Sequence, residues 1–217
     1  MEIATYILVA LAAYLLGSIP TGYLAGKAKG VDIRTVGSKN IGATNVFRIL
    51  GKGPGIVVLV VDMLKGFCAC RFVVPLFATL LAPQQFKTVE SIEPLSLLAA
   101  VAAILGHNYT CWLKFKGGKG IATSAGVILA LVPGAFVTVV AIWVLVFIAS
   151  KYVSVASVIA AFCLPFAVWF WKGSPTMISV MSVLAALAIY KHKTNIQRLM
   201  NGTENRFGKK KTPEVAK

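Results

Sequence analysis

Acidic side chains are scarce in this sequence: seven Asp and Glu against 22 Lys and Arg in 217 residues, with charged residues of both signs at only 13%. A soluble domain of this size carries about twice that share, so a chain with little separate soluble mass is indicated. Histidine is equally sparse. His107 and His192 stand on separate segments with no thiolate cluster or acidic pair beside them, which argues against a metal site. Nothing in the sequence asks for a cofactor. The four cysteines, Cys68, Cys70, Cys111 and Cys163, lie in or beside apolar stretches. Cys68 and Cys70, two apart, would point to different sides of a helix and read as packing residues. A Walker A loop is also missing: around GGKG it would need glycine at 113 and Ser or Thr at 120, where Leu113 and Gly120 stand, so ATP is not the expected ligand.

What the chain does have is apolar length. It is 58% hydrophobic with a mean hydropathy of +0.80, which implies an all-α polytopic membrane protein. The apolar runs are 3–26, 54–82, 95–113, 121–150, 152–171 and 175–190. A signal peptide is a poor reading of the first, because Met1 and Glu2 replace a basic n-region and the run is too long. Lys and Arg number six in residues 27–52, three in 114–119 and eight in 191–217, so the positive-inside rule places all three loops in the cytoplasm. An even number of crossings must then separate the last two loops, and Pro133–Gly134 offers the turn that splits 121–150 into two short helices. The expectation is a seven-helix bundle with its N-terminus outside and its C-terminus cytoplasmic. The helix before Pro133 is short for a span of about 20 residues. Residues 1–206 form one integral-membrane domain and 207–217 a basic, flexible tail that binds anionic lipid weakly if at all. No aromatic platform accompanies the tail's lysines, so nucleic acid is not an expected partner. Asp62 and Lys65, at i and i+3 within an apolar run, are expected to neutralise each other.

Three polar clusters face one compartment in this arrangement: GSKNIGATNVFR (37–48), GHNYTCWLKFKGGKGIAT (106–123) and KHKTNIQRLMNGTE (191–204). Each combines glycine, hydroxyl and amide residues with fixed cations, which supply N–H, hydroxyl and ammonium donors for oxyanions. Any one of them alone reads as an ordinary basic loop; three together on one face ask for an anionic ligand. On a helix His192 and Asn195 share a face while Leu199 packs, whereas His107 reads as a helix-end group.

In order and spacing these clusters resemble the three cytoplasmic motifs of the bacterial acyl-phosphate-dependent glycerol-3-phosphate acyltransferases, the PlsY family, over about residues 17–204. The resemblance implies a seven-helix membrane fold in the bacterial inner membrane with its active site at the cytoplasmic surface. It also implies transfer of a fatty acyl group from acyl phosphate to the 1-hydroxyl of sn-glycerol 3-phosphate, giving lysophosphatidic acid and phosphate without coenzyme A, acyl carrier protein or an obligatory protein partner. By that match Ser38 and Arg48 of the first cluster, Lys119 of the second, and His192 and Asn195 of the third are the catalytic set. Asn40, Thr44, Asn45, Gly117, Gly118 and Gly120 would bind substrate, as would Ser154 and Ser157, which match a shorter serine pair, and Glu204 would be structural. A departure is Lys193 where the family commonly carries arginine, which removes a bidentate fork. Acyl phosphate is an activated anhydride, so positioning and charge stabilisation by Lys119, Arg48 and the glycine N–H groups would suffice. His192 is either a general base or an orienting group. An organophosphate transporter and a non-catalytic headgroup-binding protein are the competing classes, though transporters tend to place their sites at the bilayer midplane and no internal repeat is evident here. Lys119→Ala is expected to lower kcat/KM by about 100-fold or more, while Lys116→Ala should have little effect. Equal, mild effects at both positions in a steady-state assay would return the loop to a topology signal.

Overall fold

The structure, a computed structural model, describes residues 2–171 and 174–208, and among these it contains helices and no strand. Every apolar run is helical. The first breaks into α1 (Glu2–Ser18) and α2 (Thr21–Lys27), because Pro20 has no N–H to continue the ladder. The carbonyls released by that break are not left bare, which lipid would penalise. Thr110 Oγ1 donates to the Ser18 carbonyl (2.5 Å) and Lys65 Nζ to that of Ile19 (3.1 Å).

After a non-helical segment come α3 (Ala43–Leu50) and α4 (Lys52–Cys68), then a π-helical stretch (Ala69–Val73) that leads without a break into α5 (Val74–Leu81). α6 (Val89–Asn108) starts earlier than the hydropathy pattern suggests. Thr88 and Ser91 form a reciprocal capping box, so Glu90 and Glu93 fall within the helix instead of a loop. The run 121–150 is divided at Val132 into α7 (Ile121–Leu131) and α8 (Pro133–Ser150), the split expected from Pro133. α9 (Val153–Trp171), α10 (Pro175–Lys191) and α11 (Lys193–Met200) complete the chain, with α10 and α11 bent by 51° about His192. Four helical stretches among the described residues are long and apolar enough to cross a membrane, five if the bent pair is one span. Eleven-residue α7 is not, being about 16 Å long at 1.5 Å per residue.

The interior is built of small residues and the outer surface of large ones. Ala13, Ala99, Ala100 and Ala103 are fully buried, whereas Leu80, Leu145, Phe170 and Val183 are each more than two-thirds exposed. That distribution suits lipid, where close backbone approach replaces the hydrophobic effect between helices. The crossing of α4 and α7 is the clearest case: a Cβ at Gly66 would overlap the Thr123 carbonyl, and one at Gly126 the Met63 carbonyl. At the same level Asp62 and Lys65 pair at 2.9 Å, both almost fully buried, as their spacing indicates. Phe207 N–H donates to the Lys151 carbonyl (2.8 Å) and its ring meets Phe147 edge-on, which ties this residue to the end of α8. The Lys209–Lys211 run lies outside the described residues. Gly126→Val should lower the midpoint of thermal unfolding in detergent by about 3–10 °C through overpacking at the crossing. Gly53→Ala, where a Cβ meets nothing, should leave it within about 2 °C.

Candidate functional site

The three polar clusters meet at one end of one cavity of about 420 Å³. Every site residue expected from the sequence lines it except Gly117 and Gly118. The first cluster is shaped from within by Asn45, which is 1% exposed. Its Oδ1 accepts from Ser38 N–H (2.8 Å) while Nδ2 lies within bonding distance of the carbonyls of Ile33, Val36 and Asn40. Asn40 uses its own Oδ1 on Gly42 N–H (2.7 Å), an Asx turn that leads into α3. Asn45 and Asn40 Oδ1 therefore organise the loop that presents Ser38, Thr44 and Arg48, a more structural part than direct ligation. Arg48, on the exposed side of α3, reaches the Asn205 carbonyl (3.4 Å) and ties the first cluster to the third.

The second cluster departs from its expected use in one respect. Gly117 N–H is bonded to the Asn108 carbonyl (3.2 Å) and Gly118 N–H to that of His107 (3.0 Å), so neither amide is free for an oxyanion. Gly118 is needed for contact: any Cβ there would strike the His107 ring. His107 itself is buried, with Nδ1 3.7 Å from Asp62 Oδ1, and both residues face the cavity wall. Gly120 adopts φ +82°, a left-handed turn that starts α7 and swings Lys119 inward. Lys116 points to solvent.

Lys119 Nζ donates to Asn195 Oδ1, and Asn195 Nδ2 passes the chain on to Glu204 Oε1 (2.7 Å). Glu204 also accepts from Ser154 Oγ (3.0 Å) and, through Oε2, from Arg198 Nε (2.7 Å). Burial would raise the Glu204 pKa, but hydrogen bonds from Asn195, Arg198 and Ser154 outweigh it and hold the carboxyl below its ordinary range. Burial and then the neighbouring Arg198 push Lys119 down to about 8, so its ammonium is largely retained at neutral pH but only just. His192 lies just past the end of α10, 4% exposed, with Nδ1 2.8 Å from the Ala188 carbonyl. Because a carbonyl only accepts, Nδ1 carries the proton and Nε2 keeps its lone pair. Burial, then the Lys119 charge, push the imidazole down to about 4, leaving it neutral and a weak base.

Two contributors escape the sequence reading. Glu204, expected there to be structural, does join three segments, but it also lines the cavity. Arg198, three residues beyond Asn195 and therefore on nearly the same helical face, carries a readable signal. Lys193 stacks over Tyr190 on the exposed side, so the departure from arginine there falls outside the cavity. Chemically, the polar end offers Arg48 and Lys119, while the two lining carboxylates are engaged, Glu204 with Arg198 and Asp62 with Lys65, which leaves positive charge suited to phosphate oxygens.

A model of the family described as glycerol-3-phosphate acyltransferase matches residues 7–202. A glycerol-3-phosphate acyltransferase of Geobacter metallireducens is 50% identical over 201 residues, covering 93% of this chain and 97% of the relative. One of Fusobacterium nucleatum is 46% identical over 195 residues, with 89% and 94% covered. Among solved structures, PlsY, an integral membrane glycerol 3-phosphate acyltransferase, in its glycerol 3-phosphate form superposes with a TM-score of 0.83 at 37% identity, over 94% of this chain and 96% of that one. The lysophosphatidic acid form gives 0.81 at 36% identity, over 94% and 95%. On the strength of sequence and fold together, the chain belongs to the glycerol-3-phosphate acyltransferase family and is an integral membrane acyltransferase.

Proposed function

We propose that the protein transfers a fatty acyl group from acyl phosphate to the 1-hydroxyl of sn-glycerol 3-phosphate, releasing lysophosphatidic acid and inorganic phosphate. The observation that carries this reading is the cavity's polarity: cations and amides from three distant segments gather at one end, and the remaining wall is apolar. Such a shape suits a reaction whose substrates present two phosphates and one alkyl chain. The site would face the cytoplasm of a bacterial inner membrane, in a bundle crossing seven times with its N-terminus outside. The three basic loops and the break between α7 and α8 support that topology.

In the proposed mechanism the glycerol 1-hydroxyl oxygen attacks the acyl carbonyl carbon, and the bond from that carbon to the phosphate oxygen breaks. Phosphate departs with the electron pair. Lys119 and Arg48 stabilise the charge that develops on the oxygens, and Ser38 and Asn195 orient the two heads. Gly120 keeps Lys119 in place, while Gly117 and Gly118 act by packing. The hydroxyl proton passes to a phosphate oxygen. A His192 held neutral with a pKa near 4 is a poor proton acceptor, but its Nε2 is well suited to hold the hydroxyl in line. Ser154 and Ser157 extend the polar wall, and no metal or cofactor takes part.

Purified protein in detergent, given acyl phosphate and glycerol 3-phosphate, should form lysophosphatidate and phosphate in equal amounts; intact uptake into vesicles without product would sink the proposal in favour of transport. His192→Gln should retain a measurable rate, reduced by about 10- to 100-fold. Its pH profile should keep the acid limb near pH 6 that belongs to the substrate phosphate. Loss of that limb, or of all turnover, would restore His192 as an obligatory base. Lys119 is charged below its pKa, so kcat/KM should fall as pH rises through about 8. Any activity left in Lys119→Arg should lose that alkaline limb, since guanidinium stays protonated. Glu204→Gln should lower the unfolding midpoint by about 3–8 °C and reduce turnover, because three donors lose a charged acceptor. Ser154→Ala should do far less.

A further inference from the structure

The apolar part of the cavity has a defined depth. Four helices each turn one stripe toward it, spaced by three or four residues as a helical face requires. α10 contributes Ala188, Leu184 and Met181 beneath His192 at its end, and α9 contributes Ser154, Ser157, Ala161 and Leu164. α7 adds Ser124 and Ile128 below Gly120 at its start, and α8 adds Trp143, Val140 and Phe136. Along α9 and α10 polarity falls away from the rim inward. Below Ser157, whose hydroxyl accepts from Trp143 Nε1 (3.1 Å), α9 offers only apolar atoms, as α10 does below His192.

The stripes also stop together. Met181 is 1% exposed, and Leu164 and Ile128 are each 5% exposed. One turn deeper, Met177, Val168 and Val132 pack with them in the same core cluster and no longer reach the cavity. A closed floor results. From His192 to Met181 is eleven residues, about 16 Å of helix, and from Ser154 to Leu164 ten residues, about 15 Å. An extended chain advances about 1.2 Å per bond, taking the three backbone bonds of a residue as about 3.6 Å. The straight channel thus holds about a dozen bonds beyond the rim.

We infer that Met181, with Leu164, is the floor of an acyl channel and sets which acyl chain lengths the enzyme prefers. The inference rests on the acyltransferase reading above and adds its length selectivity. Chains of up to about 14 carbons gain contact with each methylene, about fourfold per group at ordinary burial values. Longer chains meet Met181 and must fold or leave sideways. Met is a sound residue for this position because its unbranched thioether packs against irregular surfaces.

The test is competitive: an equimolar mixture of decanoyl to octadecanoyl phosphates, excess glycerol 3-phosphate, and the lysophosphatidate products weighed by mass spectrometry. A product ratio within one sample does not depend on how much enzyme folds. Met181→Ala should raise the ratio of hexadecanoyl to dodecanoyl product by about fourfold or more. Met181→Phe and Leu164→Phe should lower it by a similar factor, and either one suffices if the other fails to fold. Phe166→Ala, on the exposed outer face of α9, should leave the ratio unchanged. An unchanged distribution in active floor variants would overturn the inference and place the chain's exit between the helices. Absence of product from the wild-type protein with every acyl phosphate would instead overturn the proposed reaction, which is a separate result.

Discussion

The Glu204 carboxylate is the interaction on which the rest of the site depends. It accepts from Ser154 at the start of α9 and from Asn195 and Arg198 on α11, and through Asn195 it is joined to Lys119 before α7. Four positions separated by as many as 79 residues in the chain are thereby held around one group of two oxygens. A carboxylate can do this because it offers about four lone-pair sites to donors, and charge-assisted hydrogen bonds are the stronger kind. It also offsets part of the repulsion among Arg48, Lys119 and Arg198, which would otherwise drive the cationic loops apart. The enzyme keeps enough positive charge to attract phosphate and enough negative charge to hold the cations at fixed separation.

Burial sets the chemistry of the groups gathered there. Lys119 loses hydration and sits among other cations, which lowers its affinity for a proton to about the point where neutral pH still keeps it charged. His192 loses hydration too, and its Nδ1–H is committed to the Ala188 carbonyl. What remains is an imidazole able to accept a hydrogen bond at Nε2 and reluctant to accept a proton. These two states complement the proposed transfer from an already activated acyl donor, where the demand on the protein is orientation and charge stabilisation.

Much of this architecture is legible in the residues themselves. Pro133 and the basic loops are local signals with local causes, so the break between α7 and α8 follows from them, whereas the break at Pro20 inside the first apolar run emerges only in the fold. The resemblance to known motifs puts Ser38, Arg48, Lys119, His192 and Asn195 on one face, and the fold brings them to one cavity. Illegible are the fates of individual donors. Gly117 and Gly118 look like free amides in a glycine loop, but the end of α6 supplies carbonyls that occupy both. Asn45, which lines the cavity, also spends both ends of its amide bracing its own loop. Glu204 reads as structural and is so, but the donors it gathers cannot be named from the sequence. In each case the deciding partner is far along the chain or folded back on it.

Composition and pattern by themselves determined that this chain is a helical membrane protein with cationic clusters suited to oxyanions, because hydropathy, charge bias and proline act over a few residues or as sums over many. The family followed from motif order. Only the tertiary structure decided which N–H and carboxyl groups remain available, how deep the cavity runs and where Met181 closes it. Those properties come from packing between segments distant in sequence, and hydrogen-bond capacity spent on one partner cannot be offered to another.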